Sequence, residues 1–340
     1  MTGVGSTEAA KSAGAGSAGA GAGNTGVGST EPAKSAGAGS AGAGAGKILI
    51  TGATGFVGPR IVHALRARGY EVRALVRRPE RASQLEAWGV ELAPGDVTDV
   101  ASLHAAAEAC THVVHLVAII RGRPGDFHRV MTEGTQNLVA AAQGAGVERF
   151  VLMSALGTNV QSGPTVPYYA AKWAEEQAVA ASGLEHVIFR PSFVFGRDGG
   201  ALPTFVKQVR YSPVVSVIGP GLQRSQPIWV DDVAEYVAEA VAAPQAANRT
   251  FDLGGPDTVD WNGLYRTIAR VLGKRRPLVH VPFRVARAGA RLTERLPGAP
   301  LSVDQVTMLQ GADNVVSSTD AADTFRLPLV PLEEQIRRAV

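Results

Sequence analysis

Residues 47–58 read KILITGATGFVG, and this stretch decides the fold of the chain. Its first five residues form the short apolar run of a buried strand. Three glycines follow, and each one suits a turn that holds a pyrophosphate. Gly52 permits a sharp exit from the strand, Gly55 lets backbone approach the phosphates, and Gly58 lets the next helix pack closely. The stretch therefore predicts a dinucleotide site formed by Gly52, Thr54, Gly55, Phe56, Val57 and Gly58.

Strands and helices alternate along the residues that follow. Apolar runs predict strands at 47–51, 71–76, 91–93, 112–119, 149–153 and 186–189, and helical patterns lie at 58–68, 133–145 and 168–182. After residue 190 the pattern loosens, with strands near 215–218, 227–230 and 250–253 and helices near 233–242 and 262–272. This alternation is typical of βαβ units. We therefore predict a Rossmann-type, doubly wound parallel sheet in residues 47–190 and a smaller, interlaced C-terminal α/β lobe in 191–340.

The first 46 residues have a different composition. They are mostly Gly, Ala, Ser and Thr, and 2–23 repeats almost unchanged at 25–46. A segment with so few large apolar side chains cannot offset the entropy of ordering it, so we predict a disordered tail. It lacks the apolar centre of a secretory signal and the arginines of a transit peptide, which favours a cytoplasmic protein.

Charge and cysteine content exclude several classes of function. The formal net charge of +3 is too small to indicate a nucleic-acid-binding protein, and no apolar run reaches the length of a membrane span. Cys110 is the only cysteine, so the chain has no internal disulfide and no thiolate metal site. The seven histidines show no metal-ligand spacing, and we expect no metal.

The residues after the second predicted strand indicate which dinucleotide binds. An acidic residue there would hold the ribose hydroxyls of NAD(H). The chain has Arg77 and Arg78 instead, and a guanidinium suits a 2′-phosphate. We therefore predict NADP(H), with NAD(H) as the alternative and a solvated loop as the interpretation without a ligand. Asp96 and Val97 follow the third strand, where they either contact the adenine or, for Asp96, cap the next helix.

Several motifs in order along the chain resemble the short-chain dehydrogenase/reductase superfamily, in its extended and atypical branches. They are TGATGFVG at 51–58, GDVTD at 95–99, EGTQNLV at 133–139, Ser154, YYAAK at 168–172, RPSFVFG at 190–196 and PIWVDDVA at 227–234. Residues 296–316 are also similar to the atypical branch that includes the alpha-subcomplex subunit nine of respiratory complex I. The resemblance implies a cofactor that also contacts Val117, Ala118, Lys172 and Pro191, and a small-molecule substrate.

A candidate catalytic group accompanies this resemblance. Tyr168 and Lys172 are four residues apart on a predicted helix and share a face. A nearby ammonium makes a phenol a better acid, so Tyr168 is the candidate proton donor to a carbonyl oxygen. Tyr169 has the wrong spacing to Lys172. The family implies that Ser154 binds the same oxygen and that Lys172 holds the nicotinamide ribose. The alternative is that Tyr168 and Lys172 only position the cofactor.

One departure from the family pattern keeps three functions open. The family's catalytic asparagine aligns with Met131, which cannot relay a proton. We predict an NADP(H)-dependent oxidoreductase for a carbonyl or alcohol. A non-catalytic NADP(H)-binding assembly or stability factor for a respiratory or quinone-linked system is the first alternative, and an epimerase or isomerase is the second.

Charged residues in the C-terminal half allow two further interpretations. Arg284, Arg287, Arg291 and Arg295 are spaced along one helix beside the apolar residues Val285, Ala288, Leu292 and Leu296. This pattern predicts either peripheral association with the inner face of a membrane or with a partner, or a surface helix packed on its own core. Asp231 and Asp232 at a strand-to-helix joint are interpreted as a helix cap rather than an acid–base pair.

Overall fold

The computed structural model describes residues 46–159, 161, 166–294 and 301–340, so the predicted tail lies outside it apart from Gly46. The strands are β1 Lys47–Thr51, β2 Glu71–Val76, β3 Glu91–Pro94, β4 His112–His115, β5 Arg149–Met153, β6 Glu185–Pro191, β7 Val194–Phe195, β8 Val215–Ile218, β9 Arg224–Ser225, β10 Ile228–Trp229, β11 Arg249–Leu253, β12 Val259–Asp260 and β13 Leu278–Val281. The helices are α1 Gly58–Ala67, α2 Ser83–Ala87, α3 Val100–Ala107, α4 Pro124–Phe127, α5 Gly134–Gly144, α6 Pro167–Ala180, α7 Leu202–Tyr211, α8 Val230–Ala240, α9 Trp261–Val271, α10 Phe283–Thr293, α11 Val303–Gln310, α12 Asp320–Phe325 and α13 Leu332–Ala339.

Seven strands form the central sheet, in the order β11-β6-β5-β4-β1-β2-β3. Every neighbouring pair is parallel. The chain winds outward in both directions from β1, so the strand order reverses between β1 and β4. This arrangement confirms the predicted Rossmann-type fold, and it fixes the edge where such sheets bind ligands, at the carboxyl ends of β1 and β4.

Apolar side chains cover both faces of this sheet. Along β1, Ile48 and Ile50 join one buried cluster and Leu49 joins the other, as the two-residue period of a strand requires. The first cluster includes residues of α1 and α8, and the second includes residues of α3 and α5. Burial on both faces explains why the strands are nearly continuous apolar runs.

Arg149 connects the sheet to α8. It lies on β5 and is 6% exposed. Its Nη1 donates to the backbone oxygens of Ala240 at 2.5 Å, Ala243 at 3.0 Å and Val241 at 3.1 Å, while Nε donates to Glu185 at 2.5 Å. The guanidinium thereby satisfies the carbonyls of Ala240 and Val241 at the end of α8, where a helix leaves such groups without intrahelical partners.

A third apolar cluster lies in the C-terminal part of the chain and brings together α7, β8, α9 and α13. Smaller two-stranded pairings, β7 with β10, β9 with β12 and β8 with β13, accompany it. The chain returns to the central sheet through β11, which pairs with β6. The division of the chain at residue 190 stays a prediction.

Several predicted elements were wrong in their boundaries. The strand predicted at 112–119 ends at His115, which pairs with Thr51, the last residue of β1. Beyond it, the Leu116 N–H donates one hydrogen bond to the Thr51 carbonyl. The helix predicted from residue 133 begins nine residues earlier, at Pro124, and passes through a π-helical segment, His128–Glu133, before α5. β10 stops at Trp229 because α8 begins at Val230.

The cap predicted for Asp231 and Asp232 was also wrong. Trp229 is the N-cap of α8 and makes no side-chain capping bond, so both carboxylates lie inside the first turn. Asp231 accepts a hydrogen bond from the Trp229 indole N–H at 2.9 Å. Asp232 accepts one from the backbone N–H of Val330 at 2.9 Å and so links α8 to the segment before α13.

Candidate functional site

The glycine turn after β1 adopts the geometry that its sequence predicts. Gly52 has φ +81°, a conformation that L side chains rarely adopt, and its carbonyl accepts a 3.0 Å hydrogen bond from the Gly55 N–H. A Cβ on Gly58 would lie 2.4 Å from the Ala53 oxygen and 2.6 Å from the Gly52 oxygen. The start of α1 can therefore meet the end of β1 only because residue 58 has no side chain.

This turn fits the pyrophosphate of a dinucleotide. Thr54 and Gly55 are exposed at its tip. Val57, the N-cap of α1, makes no side-chain capping bond, so no side chain competes for the backbone N–H groups that begin the helix. Free N–H groups at a helix start favour an anion. Backbone groups of this turn, rather than side chains, therefore provide the fit to a pyrophosphate.

Phe56 has a role that the sequence prediction missed. Its ring is partly buried beneath the segment after β7, where Cβ atoms at Gly196 and Gly199 would come within 2.8 Å and 2.3 Å of ring carbons. A Cβ at Gly200 would lie 3.1 Å from the same ring. The glycine turn is therefore in direct contact with the C-terminal part of the chain through one aromatic side chain. The signal was present as three further glycines in FGRDGG at 195–200.

The ends of β2 and β3 carry the predicted nucleotide-selecting residues. Arg77 and Arg78 are both exposed after β2, and Arg77 Nε lies 3.8 Å from Asp96 Oδ2. Asp96 is not the cap of α3: its Oδ1 accepts hydrogen bonds from the Thr98 backbone and hydroxyl, and Asp99 caps the helix. The cap interpretation of Asp96 was therefore wrong, because the helix begins one residue after Asp99.

The remaining predicted cofactor contacts follow neighbouring strands. Val97 is buried, and a Cβ on Gly134 at the start of α5 would lie 2.9 Å from its side chain. Val117 and Ala118 follow β4, and the Val117 nitrogen would lie 3.1 Å from a Cβ on Gly52. Pro191 ends β6, and its carbonyl accepts a bond from the Leu156 N–H at 2.9 Å. These residues share the carboxyl edge of the sheet, and their contacts with a cofactor stay predictions.

Tyr168 and Lys172 both lie on α6, as predicted. The Tyr168 ring is partly buried and packs against a small apolar cluster that contains Phe127, Met131 and Ala171. Met131 is fully buried there, so the position of the family's asparagine is occupied by an apolar side chain. Burial and, secondarily, the Glu175 carboxylate raise the pKa of Tyr168 well above its usual value.

Lys172 is 1% exposed and already has two partners. Its ammonium donates to the Met153 carbonyl at 2.7 Å and lies 2.9 Å from Glu175 Oε2. Glu175 is fully buried, one turn further along α6, and its burial raises its pKa although the Lys172 ammonium opposes this. The charge expected to acidify Tyr168 is therefore shared with a buried carboxylate.

A buried histidine lies near this ion pair. The His115 ring bridges the hydroxyls of Thr51 at 2.5 Å and Thr135 at 2.9 Å. Burial, with a smaller contribution from Lys172, lowers the pKa of His115 to about 3, so the ring is neutral near pH 7. Thr51 immediately precedes Gly52, and the Lys172 charge of α6 acts on the His115 ring. The hydrogen-bonded side chains of Thr51, His115 and Thr135 therefore lie between the glycine turn and α6.

Ser154 follows β5 and is held by a second carboxylate. Its hydroxyl donates to Glu176 Oε1 at 2.5 Å. Glu176 also accepts hydrogen bonds from Arg190 of β6, from Nε at 2.8 Å and from Nη2 at 2.5 Å. These bonds raise the pKa of Arg190. The consecutive pair Glu175–Glu176 was not predicted to contribute to the site. The available signal was its position, three and four residues after Lys172 on the same helix.

C-terminal residues cover this edge of the sheet. Asn314 Oδ1 accepts a hydrogen bond from the Ser192 hydroxyl at 2.6 Å, and its amide donates to the Leu156 carbonyl at 3.4 Å. From the loop after β4, Arg121 donates to Gln305 of α11 at 3.4 Å. The loops after β4, β5 and β6 therefore all contact the segment that includes α11.

The basic helix predicted near residue 284 is α10, and Arg295 and Leu296 lie outside the described residues. Its apolar row does not face a core: Val285 is 59% exposed and Leu292 is 81% exposed. The side that packs inward contains Ala290, the only fully buried residue of the helix. Arg287 donates to Gln310 of α11 at 2.7 Å.

The described residues offer neither a metal-binding group of side chains nor a membrane-spanning helix. Over the described ranges, no three His, Cys, Asp or Glu side chains come together in a group that could hold a metal ion. In the same part of the chain, no helix combines the length and apolar character needed to cross a membrane.

Comparison with known proteins agrees with this geometry. A family described as NAD(P)H-binding matches residues 52–244. The ceramide reductase of Caulobacter vibrioides is 32% identical over 238 residues, which cover 69% of this chain and 73% of that protein. A 4-hydroxy-2-methyl-3-oxo-4-farnesyl-3,4-dihydroquinoline-1-oxide ketoreductase of Stigmatella aurantiaca is 28% identical over 270 residues, 74% and 80% of the two chains.

Two further similarities concern assembly and fold. The photosystem II assembly factor Ycf39 of Cyanophora paradoxa is 29% identical over 245 residues, 69% of this chain and 72% of that protein. A UDP-glucose 4-epimerase of Thermus thermophilus, solved with NAD, superposes with a TM-score of 0.66 at 22% identity and covers 86% of this chain and 97% of its own. At that identity the structural likeness concerns the fold alone.

Proposed function

Since this chain belongs to the NAD(P)H-binding family within the short-chain dehydrogenase/reductase-like proteins, we propose that it is an NADP(H)-dependent oxidoreductase for a carbonyl or alcohol substrate. One observation carries the proposal. The uncapped glycine turn at 52–58 and the Tyr168–Lys172 helix lie at the same edge of one parallel sheet. Ligand-binding and reacting groups meet at that edge in folds of this kind. The narrower resemblance to the complex I subunit stays a prediction.

The cofactor residues have separate tasks. Backbone N–H groups of the turn from Gly52 to Gly58 would hold the pyrophosphate. Arg77 and Arg78, exposed after β2, would bind a 2′-phosphate, and Asp96 lies close enough to Arg77 to orient it. Asp96 and Val97 would border the adenine, and Val117, Ala118 and Pro191 the nicotinamide side. When bound, the nicotinamide supplies or accepts the hydride of the reaction.

The chain's own residues would handle the proton. Carbonyl reduction adds one proton to oxygen, and Tyr168 is the donor that the site offers. Lys172 would tune this donor electrostatically, whereas Glu175, which pairs with Lys172, raises the pKa of the phenol and so opposes its deprotonation. Ser154 would bind the substrate oxygen after exchanging its bond to Glu176 for a bond to the substrate. We therefore expect a resting site in which two carboxylates hold the catalytic hydroxyl and ammonium in place.

The substrate class we propose is a carbonyl compound with a long apolar chain. The names of two relatives support this substrate class. One is a ceramide reductase, and the other is a ketoreductase whose named substrate carries a farnesyl group. The chain contributes an apolar side chain at the same edge: Ile120, in the loop after β4, is 65% exposed. Its neighbour Arg121 contacts α11, so this loop borders the covered edge of the site.

Cofactor choice is tested by fluorescence titration with NADPH and NADH. The wild-type protein should prefer NADPH, and Arg77→Gln with Arg78→Gln should weaken NADPH binding by at least about tenfold while NADH binding changes little. Arg66→Gln is the matched control, because Arg66 is exposed at the far end of α1. Equal affinity for the two nucleotides in the wild-type protein would contradict the assignment to NADP(H).

Turnover is tested by NADPH oxidation on a panel of ketones with long alkyl or isoprenoid chains. Tyr168→Phe should lower the rate roughly a hundredfold or more, since it removes the proton donor. Tyr169→Phe is the control: its hydroxyl contacts the Leu156 carbonyl at 3.5 Å and has no assigned proton-transfer role. Equal effects of the two substitutions would remove Tyr168 from the mechanism.

A second candidate function has its own supporting observations. Met131 replaces the relay residue, and the Ser154 hydroxyl is already bonded to Glu176. Together with a relative named as an assembly factor, these favour an NADP(H)-binding assembly or stability factor for a respiratory or quinone-linked system. Binding of NADPH without oxidation of any panel substrate would favour it. An epimerase or isomerase would instead convert substrate with no net oxidation of the nucleotide.

A further inference from the structure

The residues from Trp261 to Thr293 have an unusual charge. They contain eight cations and no aspartate or glutamate: Arg266, Arg270, Lys274, Arg275, Arg276, Arg284, Arg287 and Arg291. The whole chain has 33 basic and 30 acidic residues, so 25 basic and 30 acidic residues lie outside this segment. The small net charge of the protein therefore conceals a strongly basic segment and an acidic remainder.

Most of these cations are available to a partner. Among the residues that the structure describes, only Arg270 of the eight has a carboxylate within ion-pair distance, Glu333 at 3.2 Å. The side chains of Arg266, Lys274, Arg275, Arg284 and Arg291 are exposed. Arg276 is partly buried and donates to the Val209 carbonyl at 3.0 Å. Because so few carboxylates neutralise the segment, its field extends into the solvent.

Large apolar side chains are exposed beside these cations. Leu292 of α10, next to Arg291, is 81% exposed, and Val285, next to Arg284, is 59% exposed. At the other end of the segment, Arg276 Nη2 donates to the Arg210 carbonyl, which places the loop 274–276 beside Tyr211, 75% exposed. Val285 and Leu292 are seven residues apart on α10, so they lie on one face of this helix, and an exposed apolar face bordered by cations is typical of helices that bind membrane surfaces.

We propose that the basic segment 261–293 docks this protein on a membrane surface that contains anionic lipids. Arginine and lysine would bind the headgroups, while Leu292, Val285 and Tyr211 would enter the interface between headgroups and acyl chains. The acidic remainder of the chain would be repelled and would turn away, which orients the molecule. Nucleic acid is the other polyanion to consider, but a phosphate backbone offers nothing to aliphatic side chains such as Leu292.

The proposal is tested by co-sedimentation of the full chain with two vesicles, one of phosphatidylcholine alone and one of phosphatidylcholine and phosphatidylglycerol in equal parts. We expect binding only to the second, weakened by salt. Arg284→Gln with Arg291→Gln should weaken it on the order of thirtyfold, and Lys274→Gln with Arg275→Gln similarly. Leu292→Asn should weaken it about tenfold and act even in high salt.

Controls separate docking from damage to the fold. Arg66→Gln with Arg129→Gln removes two exposed arginines outside the segment and should leave binding unchanged. Thermal unfolding and NADPH titration report whether each variant is folded. Leu292→Asn changes a side chain that is almost entirely in solvent, so it keeps the test available if a double variant fails to fold.

Three results would overturn the proposal. The first is no binding of the wild-type protein to anionic vesicles. The second is a loss of vesicle binding in the control variant that is as large as the loss in the variants of the basic segment. The third is salt-sensitive binding to duplex DNA that exceeds vesicle binding and is unaffected by Leu292→Asn, which would assign the surface to nucleic acid.

Discussion

Replacing Asp232 with asparagine should remove a pH-dependent loss of stability from this protein. The Asp232 side chain is buried in the first turn of α8, and its Oδ2 accepts the Val330 N–H at 2.9 Å. Burial is the main cause that raises its pKa from 3.8 to about 6. The Val330 N–H and Arg338 oppose this rise, whereas Asp231 and Glu235 add to it.

The sign and size of the effect follow from proton linkage. The folded-state pKa of Asp232 lies above the unfolded value, so the native state holds the proton more tightly. Its contribution to the free energy of unfolding is complete below pH 3.8 and is lost as pH rises through about 6. A shift of about two pKa units corresponds to a loss of about 3 kcal/mol.

The assay is urea unfolding of wild type and Asp232→Asn at several pH values. The asparagine oxygen can still accept a hydrogen bond from the Val330 N–H. As pH rises from about 4 to about 7.5, the free energy of unfolding of the variant should therefore increase relative to that of wild type by up to about 3 kcal/mol. Glu86→Gln is the control, since that carboxyl is exposed on α2 and does not contribute to the pKa shift of Asp232. If the difference between wild type and Asp232→Asn stays constant over this pH range, burial does not govern the charge of Asp232.

Three further substitutions test other contacts. Arg149→Met should destabilise the protein by about 3–5 kcal/mol in urea unfolding, because buried carbonyls at the end of α8 lose their donor, and Arg149→Lys by less; a lysine variant as stable as wild type would mean that the charge alone matters. Gly58→Ala should lower the free energy of unfolding by at least about 1–3 kcal/mol and abolish NADPH binding. Gly289→Ala, whose Cβ would have no atom within 4 Å, should raise the free energy of unfolding by roughly 0.5–1 kcal/mol. Similar melting temperatures for the two variants would contradict this reasoning. Glu175→Gln should lower the pKa of Tyr168, seen as tyrosinate absorbance at lower pH that is missing in a Tyr168→Phe background; an unchanged titration would show that Glu175 does not act on the phenol.

The fold could be predicted because its signals are local. The apolar run at 47–51, the glycine spacing and the alternation of elements each depend on a few neighbouring residues. The π-helical segment at His128–Glu133 and the helix α12 lack such a signal, since each has only six residues and is too short to show a regular period. Their positions depend on packing against residues far away in the sequence.

The site was only partly predictable, for the same reason. The glycine turn and the Tyr168–Lys172 spacing are local patterns, and both lie where the sequence placed them. The engagement of Ser154 by Glu176, and of Lys172 by Glu175, requires the burial of a whole helix face against β5 and β6. The spacing of three and four residues from Lys172 places both glutamates near it on the helix, but only their burial makes them partners of the candidate catalytic residues, and spacing does not indicate burial.

The contact between Phe56 and the glycines at 196–200 has an evolutionary consequence. Because ring carbons of Phe56 occupy the space that a Cβ at Gly199 would need, neither position can change size without the other. Across homologues, a small residue at 56 should co-vary with side chains at 196 or 199. A cofactor turn transplanted from another protein should fail here unless its partner segment came with it, so we expect the two segments to be inherited together.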